Sequence, residues 1–232
     1  MKTDSQKDIP LAIALTRADR PEATPLGVFK LARRFWLESK RICIGELASA
    51  VGVSRVTLYR WIGSKDRLID EILWSFAKPT LEKSCQEVHG SGADYVVGVC
   101  QRFMTYMANF EPMQRFILDN PIFAVRIQTN NPESCHGRII TFKAKLITQE
   151  ALRGNITLTK PAHELAEMMT CTHAALLYSA ILGKRSVSTA IHLGGVMTRM
   201  LLQGELADAP DLTLPEELAP EHLHASMADQ TL

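Results

Sequence analysis

Between Ser54 and Lys65 the sequence SRVTLYRWIGSK sets hydroxyl and cationic groups side by side. Hydroxyls of the Ser54, Thr57 and Tyr59 type hydrogen-bond phosphate oxygens, and Arg55, Arg60 and Lys65 carry the charge that a phosphodiester backbone attracts. An arginine fork held against guanine supplies about 1 to 3 kcal/mol of discrimination between bases. This is the chemistry of recognition. Groups suited to catalysis are absent at the required spacings. His163, with Glu164 and Glu167, lacks a second histidine four residues on, so the zinc-protease pattern fails. Cys171 and His173, two apart on a helix, point to different faces. No glycine loop suited to a phosphate appears, and the chain is expected to be no enzyme, with no catalytic residue, no metal site and no cofactor.

Charge is distributed unevenly. Residues 25–67 hold nine Lys or Arg against three Asp or Glu, an excess of six positive charges, so the remainder carries −5 beneath a net charge of +1. A basic module on an acidic body is the distribution expected where one segment neutralises phosphates. The five cysteines, Cys43, Cys85, Cys100, Cys135 and Cys171, are odd in number and never paired as C-x-x-C, which argues against both a disulfide framework and zinc. No apolar run approaches the roughly 20 residues of a bilayer span, and Ile9 to Leu15 lacks a signal-like flank. A cytoplasmic protein with no membrane partner is expected.

The elements that must position the Ser54–Lys65 groups follow from periodicity and punctuation. Thr24 before Pro25 marks a helix start, with Phe29, Ala32, Phe35 and Trp36 as its buried stripe. Ile44, Leu47, Ala48 and Val51 fall at i, i+3, i+4 and i+7, one face of a short helix ended by Gly52. Ser54 caps a second short helix through Trp61, stopped by Gly63, and Ser64 caps a longer one whose apolar residues end before Pro79. Two short helices at a tight joint form a helix-turn-helix, in which the second helix enters the major groove. Leu47, Val53 and Leu58 close a small core beneath it. Beyond Gly90-Ser91-Gly92 further helices are expected over Ala93–Asn109, Met113–Gln128 with a break near Pro121, Pro132–Arg153, Pro161–Leu182 and Val187–Gln203. The fold class is therefore all-α. A flexible arm over 1–23, in which Arg17 and Arg20 could touch DNA, precedes the DNA-binding domain of residues 24–70. A helical domain over 71–204, to which the family resemblance given next assigns effector binding and dimerisation, and an acidic tail over 205–232 follow.

The run from Glu46 to Tyr59, ELASAVGVSRVTLY, and the following Ser64-Lys65-Asp66-Arg67-Leu68 resemble the TetR family of transcription regulators. The resemblance covers Pro25 to about Phe76. One departure is that Arg60-Trp61-Ile62-Gly63 stands where the family has an aromatic residue followed by proline. The resemblance implies a homodimer on double-stranded operator DNA, with Thr57, Tyr59 and Lys65 on phosphates and Arg55, Val56 and Arg60 facing bases. Tyr59-Arg60-Trp61-Ile62-Gly63-Ser64 and Asn120-Pro121-Ile122-Phe123-Ala124 are similar to the QsdR-like branch. That similarity implies a repressor released by a small-molecule effector, a lactone-type signal or its catabolite.

Such a regulator needs a dimer surface and a cavity. Leu176, Ala180, Ile191, Gly194, Gly195 and Thr198 put small and apolar residues on the last two helices, where close approach could build a four-helix dimer interface or serve packing within one subunit. Phe103, Met104, Met107, Phe116, Met168, Met169 and Tyr178 offer adaptable cavity walls, with Thr172 and His173 as polar anchors; ordinary core is the other reading of that stripe. Two other functions stay open, a helix-turn-helix acting through a protein partner and a regulator independent of any effector.

Overall fold

The computed structural model describes residues 23–126 and 132–203, and every regular element among them is an α-helix. The arm with Arg17 and Arg20, the expected helix end at Gln128 and the acidic tail lie outside the described residues.

Helix α1, Pro25–Leu37, begins where Thr24 Oγ1 accepts the Gly27 N–H at 3.0 Å. Its buried stripe is Val28, Leu31, Ala32 and Trp36, while Phe29 and Phe35, expected to be buried, lie only partly covered at its flanks. Helix α2, Ile44–Val51, ends on Gly52 at φ +77°, a left-handed conformation in which a side chain is strained. That turn lets the Val53 N–H reach back to the Ala48 carbonyl at 2.9 Å. Helix α3, Arg55–Ile62, is capped by Ser54, whose Oγ accepts the Thr57 N–H at 3.1 Å. Leu47, Ala48 and Leu58 close the core beneath the joint, with Val53 packed against it.

Helix α4, Lys65–Glu87, starts at Ser64, whose Oγ accepts the Arg67 N–H at 3.0 Å, with Asp66 in its first turn. It does not end before Pro79 as the sequence suggested. The ring removes one helical donor, but Ala77, Leu81 and Ser84 are buried on either side of it. Tertiary packing thus carries the helix through.

The body comprises α5 (Gly92–Asn109), α6 (Glu111–Asp119), α7 (Pro121–Arg126), α8 (Cys135–Leu152), α9 (Ala162–Leu182) and α10 (Val187–Gln203). The expected break near Pro121 separates α6 from α7 at Asn120. Helix α9 packs extensively against α8 and α10, and α10 against α5. By length and composition α9 is apolar enough to cross a bilayer, contrary to the sequence expectation. Here it is a central packing helix that buries Leu165, Ala166, Met169, Thr170, His173, Leu177 and Ala180.

One apolar core runs from the helix-turn-helix into the body. Trp36 of α1 stacks on Phe76 of α4 at 5.3 Å, Phe110 joins Phe76 at 5.1 Å, and Phe116 of α6 lies 6.1 Å from Trp36. The Arg33 guanidinium stands 4.1 Å from the Phe76 ring centre and donates to Ser75 Oγ at 3.0 Å. The first three helices are thereby anchored to α4 by apolar contact and by a cation over a ring.

Candidate nucleic-acid interface and ligand cavity

Helix α3 is short, and the face it turns from the core is polar and basic. Arg55, Val56, Tyr59 and Arg60 are exposed, Val56 at 70%. An apolar side chain so exposed, flanked by two arginines, can meet a thymine methyl in a major groove. Thr57 is half-buried, and its Oγ1 lies 2.9 Å from Ser54 Oγ. Tyr59 stands out from the helix at 46% exposure. Lys65, at the first position of α4, is partly buried and faces a cleft of about 560 Å³ between the DNA-binding helices and the body. Arg115 of α6 reaches across this cleft to Ser39 Oγ at 3.1 Å, and Arg126 of α7 to Asp66 at 2.8 Å.

A second cavity, about 110 Å³, lies inside the body and is lined from five helices. Leu73 and Ala77 come from α4, Phe103, Met104 and Met107 from α5, and Met113 and Ile117 from α6. Helix α8 contributes Cys135, His136, Ile139 and Lys143, and α9 contributes Thr170, His173, Leu177, Tyr178 and Ile181.

Of the expected cavity residues, Phe103, Met104, Met107, His173 and Tyr178 are brought together here. Four are not. Phe116 belongs to the aromatic cluster and the cleft. Met169 is wholly buried in a separate core with Ile147 and Leu165. Met168 and Thr172 lie on the opposite side of α9, where Thr172 Oγ1 donates to the Met168 carbonyl at 2.8 Å. The helical repeat that turns 170, 173, 174 and 177 inward turns 168 and 172 away.

The cavity's polar end centres on Lys143, which is 3% exposed and whose ammonium approaches His173 Nδ1 at 3.1 Å. Burial, reinforced by Lys143, pushes the His173 imidazole down to about 3. The ring is therefore neutral near pH 7, so Nδ1 accepts from Lys143 and Nε2–H donates to Thr198 Oγ1 at 2.9 Å. Thr198 in turn donates to the Gly194 carbonyl at 2.8 Å. Burial also lowers Lys143 itself, and it lowers His136, where Lys143 adds to the effect.

The small residues expected at a dimer seam are used within the subunit. Ala180, Gly194, Gly195 and Thr198 are buried, and a Cβ on Gly194 would meet Met104 Sδ at 2.7 Å and His173 Cδ2 at 3.2 Å. Ile191 packs on the cluster of Met104, Ala108 and Leu177, and Leu176 is half-buried. The apolar side chains that α9 and α10 leave uncovered are Met168, Leu182, Leu193, Val196 and Met197. Among the described residues no group of His, Cys, Asp and Glu is arranged to hold a metal ion.

Residues 91–202 match the family described as tetracyclin repressor-like, C-terminal domain. The fold is similar to the TetR-family transcriptional repressor QsdR of R. erythropolis, with TM-score 0.67, 22% identity, and coverage of 75% of this chain and 93% of that one. It is also similar to a protein of unknown function from Rhodococcus sp. RHA1, with TM-score 0.50, 12% identity, and coverage of 76% of this chain and 93% of that one. No curated protein matches the sequence. A helix-turn-helix joined through a shared core to a tetracyclin repressor-like C-terminal domain gives this chain the fold of the TetR family of transcription regulators.

Proposed function

We propose that the protein is a sequence-specific DNA-binding transcription regulator, a homodimeric repressor that leaves its operator when a small molecule enters the body cavity. The observation that carries this reading is the outward face of α3, where Arg55, Val56, Tyr59 and Arg60 stand exposed on a helix locked at both ends and underpinned by a closed core. Thr57, Tyr59 and Lys65 hold phosphates, and Arg55, Val56 and Arg60 face bases. The similar fold of QsdR, a TetR-family transcriptional repressor, supports the direction of regulation. The lactone-type signal or its catabolite as effector rests on the sequence resemblance alone. The unpartnered apolar side chains of α9 and α10 support dimerisation through those two helices.

Release follows from which helices the cavity and the DNA-binding module share. Leu73 and Ala77 of α4 line the cavity, and the same helix begins at Ser64, directly after α3. Helix α6 lines the cavity with Met113 and Ile117 and contacts Ser39 through Arg115. Filling the cavity moves α4 and α6 together and changes the spacing of the two α3 helices in the dimer.

Selection of bound fragments from the source genome, followed by salt titration of the best site, tests the reading. The expected result is a pseudo-palindromic site, with log K falling steeply against log salt, and Arg60→Ala relaxing base preference at one position per half-site. A shallow salt dependence with no enriched site would favour a protein partner for α3.

A further inference from the structure

Lys143 is the one buried lysine among the described residues, and its surroundings do not neutralise it. Its ammonium hydrogen-bonds the neutral His173 ring, and no carboxylate pairs with it among the described residues. A buried cation without an anion is unfavourable, and burial favours the neutral form of Lys143; an anion bound beside it would reverse that preference. Most of the remaining cavity wall is apolar, with Leu73, Phe103, Met107 and Ile117 facing the same space, and His136, Thr170 and Tyr178 are its other polar members.

We propose that the cavity binds a small aliphatic carboxylate, with the carboxylate on the Lys143 ammonium and the hydrocarbon chain against the α4, α5 and α6 side chains. This deepens the regulator reading by naming the effector's chemical class. The anion supplies the countercharge that the fold omits. His173 Nδ1 takes one N–H of the ammonium, and its other nitrogen is committed to Thr198 and Gly194. Lys143 therefore keeps two N–H groups for a ligand. Cavity volume, about 110 Å³, restricts the ligand to a short chain. A neutral carbonyl compound could accept the same hydrogen bonds, but it would leave the charge uncompensated, so it binds more weakly.

The test is calorimetric titration of the full chain, free of DNA, with three six-carbon probes: hexanoate, hexan-1-ol and γ-hexalactone. Hexanoate is expected to bind at least about tenfold more tightly than either neutral probe, the ratio that a charge-assisted hydrogen bond supplies. In Lys143→Gln, which can still donate to His173 but carries no charge, that preference should vanish while binding of the neutral probes is retained. Equal affinity for the three probes in the unaltered protein, or an undiminished hexanoate preference in Lys143→Gln, overturns the proposal. Should Lys143→Gln fail to melt cooperatively, Lys143→Met makes the same comparison, and the unaltered protein decides by itself between an acid and a neutral ligand. Operator binding is measured separately by gel retardation. Hexanoate binding without any operator would sink the regulator reading alone; an operator without acid preference would sink the carboxylate alone.

Discussion

Glu150 shows how much one buried carboxylate can organise. Its side chain is 1% exposed, and its oxygens accept the Gly92 N–H at 2.7 Å, Asn155 Nδ2 at 2.8 Å and Arg153 Nη1 at 2.8 Å. It thus fixes the start of α5 against the end of α8. The bond from Gly92, more than the bonds from Asn155 and Arg153, holds its carboxyl below the usual glutamate value of 4.5. A folded-state pKa lowered in this way stabilises the protein above the unfolded value, and the contribution disappears as pH falls through the folded one. Glu150→Ala should cost about 1.5 to 3 kcal/mol, because the buried Gly92 N–H loses its acceptor. Thermal melts at pH 7 should show a fall of roughly 5 °C, and Glu150→Gln should flatten the acid limb of the stability curve; a melting point unmoved in both variants would remove Glu150 from this role. Residue type alone hides Glu150 and Lys143, since acids and lysines on helices are usually solvated. Register reveals them. Ile140, Lys143, Ile147 and Glu150 are spaced three, four and three, so both charges fall on the buried stripe of α8.

At the scale of elements, the start and stop signals that are local in sequence are reproduced in the structure. Thr24, Ser54 and Ser64 each accept the backbone N–H three residues on, and Gly52 and Gly63 end the helices before them with positive φ. Pro79 misleads because its effect depends on distant partners, the other helices against which its neighbours Ala77 and Leu81 are buried. The glycines of α10 left two readings open for a related reason. A small residue on a helix announces a close approach, but not to which helix. Gly194 faces Met104 and His173 of its own subunit, and a larger side chain there must displace them into the cavity. Gly194→Val is expected to cost about 1 to 3 kcal/mol by overpacking and to lower hexanoate affinity, with α3 and its operator contacts untouched. Melting and calorimetry on this variant check both effects, and undiminished ligand binding would dissociate Gly194 from the cavity.

For the whole molecule, the basic N-terminal module was legible as a charge excess over residues 25–67, because net charge needs no knowledge of packing. A surface for a second copy was not, because the small residues that suggested one are buried within this chain. What α9 and α10 present outward is Met168, Leu182, Leu193, Val196 and Met197, a run of apolar side chains 37 to 44% exposed on two adjacent helices. A second copy packing its own α9 and α10 there would form a four-helix seam and set the distance between the two α3 helices. Leu193→Glu with Val196→Glu puts four carboxylates into that seam, two from each copy, while leaving the buried Gly194, Gly195 and Thr198 unchanged. Sedimentation equilibrium should then find a monomer that melts cooperatively and still binds hexanoate. Its operator affinity should fall by about a hundredfold or more, because the two half-sites are no longer engaged by one linked particle. A double variant that sediments as a dimer would move the seam to another face, and a monomer with undiminished operator affinity would mean that one α3 helix suffices for recognition.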